Sequence, residues 1–290
     1  MEEVNDVAFR LLCKKAGCGL TFTGMIHPQT HQKFDCATFG GGNEKSRRSA
    51  LRGSSKETSG CLLDDKPALQ LFCTTTKGIK EFIKKHNKKV SMWDFNLGCP
   101  AKTAKKHGFG SYLKDLKKIE HILKTIRENT KKPVSVKIRK SDIALDILKI
   151  AEKYCDLICI HPRTQAQGYS GKPDLKFAEE IKNQSSIPVI YSGNVDEKNY
   201  KKLLEKFDYV MIGRGAIGRP EIFAKISENK KFKKSFKDYL KLAKKYNLPF
   251  RQIKFQAMNF TKGMRNSKKL RLEIFKIKSL EELENMFARL

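Results

Sequence analysis

The chain has 290 residues, with 60 Lys and Arg against 31 Asp and Glu, for a net charge of +29. That length accommodates one α/β barrel and a small appendage around a large core. A positive excess of this size points to a polyanionic partner or a membrane surface, with a lysine-rich source proteome as the plain alternative, and no apolar run approaches the roughly 18 residues of a membrane span.

From the start, Glu2, Glu3 and Asp6 are acidic where a secretory leader is basic, so a cytoplasmic chain is expected. Asn5 or Asp6 caps a predicted helix whose apolar positions Val7, Phe9, Leu11 and Leu12 lead to a stop at Gly17. Strand-like runs follow at Leu20–Met25, Ala68–Cys73, Val90–Phe95, Val134–Ile138, Leu157–Ile160, Pro188–Tyr191 and Tyr209–Ile212. Helical patterns separate most of them, near Lys77–His86, Leu116–Glu128, Ala144–Tyr154, Leu175–Ile181 and Lys198–Lys206. Strand and helix alternating at this spacing predict parallel strands with helical crossovers. The run from His27 to Lys66 stands outside that repeat. It is polar and glycine-rich, carries Lys45, Arg47, Arg48 and Arg52, and is expected to be a lid or binding loop. From about Phe232 the chain becomes helical and basic, with Lys241, Lys244, Lys245, Arg251, Lys254, Lys262, Arg265, Lys268, Lys269 and Arg271. A solvated helix face explains lysines there without function, but their density favours a polyanion surface.

The eight cysteines lack the C-x-x-C pairs of a metal site, so no metal is expected and the thiols read as reduced and mostly structural. Cys99 is placed differently. It follows an apolar strand pattern and lies on the Asn96-Leu97-Gly98-Cys99-Pro100 break, ahead of Gly108 and Gly110. A lone cysteine is usually a small buried hydrophobe, yet the end of a strand is where α/β barrels hold their chemistry.

The words around Cys99, D-x-N-x-G-C-P followed by K-x-G-x-G-S, resemble the active-site segment of the tRNA-dihydrouridine synthases. Phe9-Arg10-Leu11-Leu12, Gln70-Leu71-Phe72, Val136-Lys137-Ile138-Arg139, His161-Pro162-Arg163-Thr164 with Gln167-Gly168-Tyr169-Ser170-Gly171, and Met211-Ile212-Gly213-Arg214-Gly215 are similar to that family's motifs, in its order. The match covers most of residues 1–223. The resemblance implies a (β/α)8 TIM barrel in residues 1–231 that binds FMN, and a small all-α tRNA-binding domain in residues 232–290. Seven strand runs are one short of eight. In the relatives a strand ending in Ala-Pro-Met precedes the first helix, so the barrel is read as lacking its first strand at this start, with a truncated start as the favoured explanation.

For the cofactor, Ser192-Gly193-Asn194 and Gly213-Arg214-Gly215 then fall after strands seven and eight, where barrels hold phosphate. Lys137 suits the negative charge of reduced flavin, Gln70 offers both a donor and an acceptor to the ring, and His161 is placed by the flavin by resemblance. NAD(P)H is the implied hydride donor, Cys99 the implied general acid to C5 of the uracil, and Asn96, Arg139 and Tyr169 the implied base contacts. The implied partner is tRNA, with no membrane, and the chain is expected to act as a monomer. Gly24, Ser192 and Cys73 depart from the family's usual Glu, Asn and Gly, which bears on flavin affinity. Two alternatives stay open: another FMN-dependent barrel of the dihydroorotate-dehydrogenase type, and a catalytically dead tRNA-binding barrel.

Overall fold

The computed structural model describes residues 4–29 and 63–289, so most of the expected lid lies outside the described residues. By packing, these residues divide into two compact units, one of residues 25–29 and 66–215 and the other of residues 4–24, 63–65 and 216–289. The strands are β1 (Ala68–Leu71), β2 (Met92–Leu97), β3 (Val134–Arg139), β4 (Leu157–His161), β5 (Val189–Ser192) and β6 (Tyr209–Met211). The helices are α1 (Val7–Ala16), α2 (Ile79–His86), α3 (Lys102–His107), α4 (Leu116–Glu128), α5 (Ala144–Tyr154), α6 (Leu175–Gln184), α7 (Tyr200–Leu204), α8 (Glu221–Ile226), α9 (Phe236–Lys245), α10 (Phe250–Phe260), α11 (Ser267–Lys276) and α12 (Leu280–Ala288). None of the described helices is long and apolar enough to cross a membrane.

In the first unit the six strands form one sheet in chain order, every neighbouring pair parallel. Strands laid side by side in sequence, with helices α2 to α7 between them, follow the winding of a β/α barrel. The helices form because their apolar residues share one stripe. In α4 these are Ile119, Ile122, Leu123 and Ile126, all buried, and Asp115 caps the first turn by accepting from Lys118 N. Helix α5 packs on β3 and β4 through Ala144, Ile147, Leu148 and Ala151.

The expected strand at Leu20–Met25 is not one. The carbonyl of Phe22 is taken by Asn5 Nδ2 at 3.1 Å, so a local side chain occupies one backbone group that a ladder would use, and the Thr21 hydroxyl goes to Asp65. Just beyond it, Ile26 makes a single parallel bridge to Leu71. Among the described residues no strand precedes α1.

The second unit is helical. Asp6 caps α1 by accepting from Phe9 N at 2.8 Å, and Gly17 ends it in the left-handed conformation. Val7, Phe9 and Leu12 of α1 bury against Phe236, Tyr239 and Leu240 of α9 and Ile253, Ala257 and Phe260 of α10. Beneath that apolar layer Asp6 also accepts from Gln252 Nε2 at 3.0 Å and Gln256 Nε2 at 2.8 Å. Arg10 binds Asp65 through two bonds of 2.9 Å, a buried bidentate pair. The packing therefore puts α1 and residues 216–231 with the C-terminal helices, a division that differs from the expected functional one at residue 231.

Candidate active site

Alternate residues of a strand face opposite sides of its sheet. One face here is apolar, with Leu69, Leu71, Trp93, Phe95, Val134, Val136, Ile138, Ile158 and Ile160 all buried. The other carries Gln70, then Asp94 and Asn96, then Ser135, Lys137 and Arg139, then Cys159 and His161, then Ser192. The register sets Gln70 beside Asp94, Asp94 beside Ser135, Asn96 beside Lys137, and Arg139 beside His161. Polar groups from five neighbouring strands are thus brought onto one surface.

Two clusters form on it. In the first, Gln70 Nε2 donates to Asp94 at 2.6 Å, Asn96 Nδ2 donates to Gln70 Oε1 at 2.9 Å, and the Ser135 hydroxyl donates to Asp94. Asn96 Oδ1 accepts from the backbone N–H groups of Gly98 at 3.1 Å and Cys99 at 2.9 Å, which folds the Gly98-Cys99-Pro100 turn back on the strand end. From the other side Gly110 presses on the turn. Its φ is +63°, and a Cβ there would lie 2.8 Å from the Cys99 carbonyl oxygen and 2.9 Å from Cys99 Cβ. Ser111 completes the clamp, its hydroxyl donating to Cys99 O at 2.9 Å.

The second cluster is cationic. Arg139 spans both, donating through Nε to Gly98 O at 2.6 Å and through Nη1 to Gly168 O at 2.7 Å. Arg163, 1% exposed, donates to Gly171 O at 2.7 Å, Asn194 Oδ1 at 3.1 Å and His161 Nε2 at 3.3 Å. Arg214 donates to the same Asn194 Oδ1 at 3.0 Å and to Tyr169 O at 3.2 Å. Tyr169 is 52% exposed, with the Arg139 and Arg214 guanidiniums 5.4 and 5.0 Å from its ring centre.

Among the described residues the remaining thiols include several that burial perturbs strongly. Burial pushes Cys18 and Cys159 up to about 11 and Cys73 up to about 12, so these are inert at neutral pH. Cys99 is only partly buried and lies close enough to Arg139 to help offset the burial that lowers that guanidinium's pKa. His161 is pushed down to about 2, first by burial and then by Lys137, Arg139, Arg163 and Arg214.

Of the expected site residues, Gln70, Asn96 and the Cys99 turn share the first cluster, and Arg139, His161, Tyr169, Asn194 and Arg214 the second. Lys137 stands between Asn96 and Cys159 in the register, and its side chain makes no hydrogen bond or ion pair among the described residues. Ser192 is buried at the end of β5 opposite Met211, with Gly193 next to it. Gly213 lies in open space, since a Cβ there would meet nothing within 4 Å. Asp94, Ser135 and Arg163 were missing from the expected set. The first two carry a readable signal, because Asp94 alternates with Asn96, and Ser135 with Lys137 and Arg139, on one strand face.

The chain matches the family model for dihydrouridine synthase (Dus) over residues 1–289. It is 32% identical over 236 residues to a probable tRNA-dihydrouridine synthase of Helicobacter pylori, covering 77% of this chain and 67% of that protein. To tRNA-dihydrouridine synthase B of Vibrio vulnificus it is 30% identical over 239 residues, covering 78% of this chain and 69% of that protein. Among solved structures, morphinone reductase superposes with a TM-score of 0.50 at 10% identity, over 77% of this chain and 81% of that one, a likeness of fold alone.

Proposed function

The chain belongs to the dihydrouridine synthase family, and from that premise we propose that it reduces a uridine of tRNA to 5,6-dihydrouridine with FMN as resident cofactor and NAD(P)H as hydride donor. Membership removes the dihydroorotate-dehydrogenase alternative. The observation that carries the catalytic assignment is the Cys99 turn, pinned by Asn96 and Gly110 at the edge of a cationic surface while the buried thiols are inert.

The donor set fits FMN. Arg214 and Asn194, organised by Arg163, give an anion-binding end at β5 and β6 with no carboxylate among their hydrogen-bond partners. Lys137, unengaged among the described residues, supplies a positive charge for the isoalloxazine, and Gln70 brings an amide to its ring. His161, Ser192, Gly193 and Gly213 complete that set. When bound, FMN supplies the hydride that enters the base at C6.

The chain's own residues do the remainder. Asn96 Nδ2 has one hydrogen left after its bond to Gln70, and the Arg139 guanidinium lies at the Cys99 turn, so both bring donors for the carbonyl oxygens of a uracil. Tyr169, half exposed beside two guanidiniums, is within reach of an unstacked base, and a uridine of folded tRNA must leave its stack to meet side chains at the strand ends. Cys99 gives its Sγ proton to C5, completing addition of hydride and proton across the C5–C6 bond. A thiol carries an S–H hydrogen that it can give, as this step requires.

Cys99→Ala tests the proposal. The variant is expected to hold FMN and oxidise NAD(P)H at the unsubstituted rate, yet reduce tRNA uridine about 10²–10⁴-fold more slowly. Equal loss in both half-reactions would make Cys99 structural. Unsubstituted protein that binds tRNA but leaves its uridines unreduced in the presence of FMN and NAD(P)H would favour the dead barrel.

A further inference from the structure

The polar face carries one carboxylate to which the proposed reaction gives no direct part. Asp94 is 1% exposed and sits in register between Gln70 and Ser135. Its Oδ1 accepts the Ser135 hydroxyl hydrogen and its Oδ2 accepts from Gln70 Nε2 at 2.6 Å. An ionised carboxylate has no hydrogen to give, so it dictates which end of the Gln70 amide faces it. With Nε2 turned to Asp94, Gln70 Oε1 faces the next strand position and takes a hydrogen from Asn96 Nδ2 at 2.9 Å. Asn96 Oδ1 is then turned onto the backbone N–H groups of Gly98 and Cys99, at 3.1 and 2.9 Å. Every bond in this series runs the same way. Reversing the two amides would set Gln70 Oε1 against a carboxylate and Asn96 Nδ2 against two N–H donors.

We propose that Asp94 is a positioning residue: its carboxylate sets the direction of the Gln70 and Asn96 amides and through them holds the Cys99 turn. What Cys99 does rests on the dihydrouridine-synthase reading, but how it is held does not. The same direction fixes what Asn96 has left to offer. Its nitrogen carries two hydrogens and spends one within the series, so it presents one N–H outward and no acceptor from that end. That suits a carbonyl oxygen of uracil, whereas the amino group of cytosine would meet donor with donor. Burial pushes the Asp94 carboxyl up to about 6, against the lowering effects of Ser135, Gln70 and Lys137. The other titratable groups that feel it are the thiols of Cys155 and Cys159, both raised by burial and uncharged at neutral pH. Asp94 is thus ionised at neutral pH, and below about 6 it gains a hydrogen that releases the one-way order.

The test uses full-length protein and the variants Asp94→Asn and Ser135→Ala. It reads the rate at which iodoacetamide alkylates Cys99, mapped by mass spectrometry, and single-turnover reduction of tRNA uridine, both between about pH 5 and pH 9. In unsubstituted protein both readouts should change with an apparent pKa near 6. In Asp94→Asn that transition should vanish, Cys99 should alkylate faster, and reduction at high pH should fall by roughly 10-fold, the worth of a charged hydrogen bond. Ser135→Ala removes a group that lowers the carboxyl, so the transition should move to higher pH. An Asp94→Asn protein with unchanged Cys99 alkylation and the original transition would overturn the proposal. Were that variant not to fold, a transition unmoved in Ser135→Ala would overturn it as well. Alkylation needs neither FMN nor tRNA. A failure of the dihydrouridine-synthase reading would therefore appear as absent reduction in unsubstituted protein, distinct from the alkylation result.

Discussion

His161 shows how far a single contact can specify a proton. Its Nε2 lies 3.3 Å from Arg163 Nη1, and a guanidinium can only donate, so Nε2 accepts and the ring hydrogen sits on Nδ1. With its pKa pushed down to about 2 by burial and four cationic side chains, His161 is neutral throughout the working range and does not compete with Cys99 as an acid. In the unfolded chain the same ring protonates near 6.5, so its contribution to stability is present above that pH and declines as pH falls below it. Nitrogen-15 NMR of histidine-labelled protein should find the Nδ1–H tautomer of His161 from about pH 5 to pH 9, and an imidazolium signal near pH 6 would contradict this. An asparagine amide can stand in for Nδ1–H better than a glutamine can. FMN affinity should accordingly fall less in His161→Asn than in His161→Gln, and fluorescence titration would show the opposite order if Nε2 were the donor.

At the scale of elements, Gly108 and Gly110 look alike in the sequence and differ in the structure. Both have left-handed φ, +69° and +63°, but a Cβ at Gly108 meets nothing within 4 Å while one at Gly110 runs into the backbone of Cys99. Gly108→Ala should cost about 1 kcal/mol of conformational strain, and Gly110→Ala more, about 1–3 kcal/mol, together with a displaced Cys99 turn. Urea unfolding and Cys99 alkylation would measure the two effects, and equal outcomes for both variants would mean that the close approach of Gly110 holds nothing in place. The strands show the limit of apolar patterning in a similar way. The readable runs stop at Phe95, Ile138, Ile160 and Tyr191, whereas the strands continue to Leu97, Arg139, His161 and Ser192. A polar side chain turned toward the site ends the apolar run without interrupting the backbone ladder, so residues read as turns or strand ends lie within β-strands. Conversely, the apolar Leu20–Met25 run forms no strand, and Asn5 takes a backbone carbonyl within it. The motifs around Cys99 point to residues that the fold brings together, but Asp94 and Arg163 bond to partners distant in the chain, Gln70 and Asn194 among them, and no local pattern displays those partners.

For the whole molecule, the apolar face of α1 was legible and its partner was not. Periodicity marks Val7, Phe9 and Leu12 as buried, while only the fold shows that they meet Phe236, Ile253 and Phe260. In the helical unit Lys262 has its pKa lowered by burial and then by Arg271 and Arg219, and Lys234 by burial and by Arg219 and Lys262, with only Glu221 opposing at Lys234. Cations that crowd one another beyond what neighbouring acids neutralise mark a surface suited to a polyanion. We infer that residues 232–290, with Arg219 beside them, bind the tRNA backbone through this surface and through the exposed Lys268, Lys269 and Arg271 of α11. Such binding releases counterions and is nearly blind to sequence. Replacing Lys268, Lys269 and Arg271 together by alanine should weaken tRNA binding and lower the log–log salt slope by roughly 0.7–0.9 for each phosphate no longer neutralised. FMN content and NAD(P)H oxidation should be unaffected, because the residues assigned to them all lie in the sheet-bearing unit. If these three cations only solvate a helix face, affinity and slope measured across a salt titration will match the unsubstituted protein, and α11 will have no part in holding tRNA.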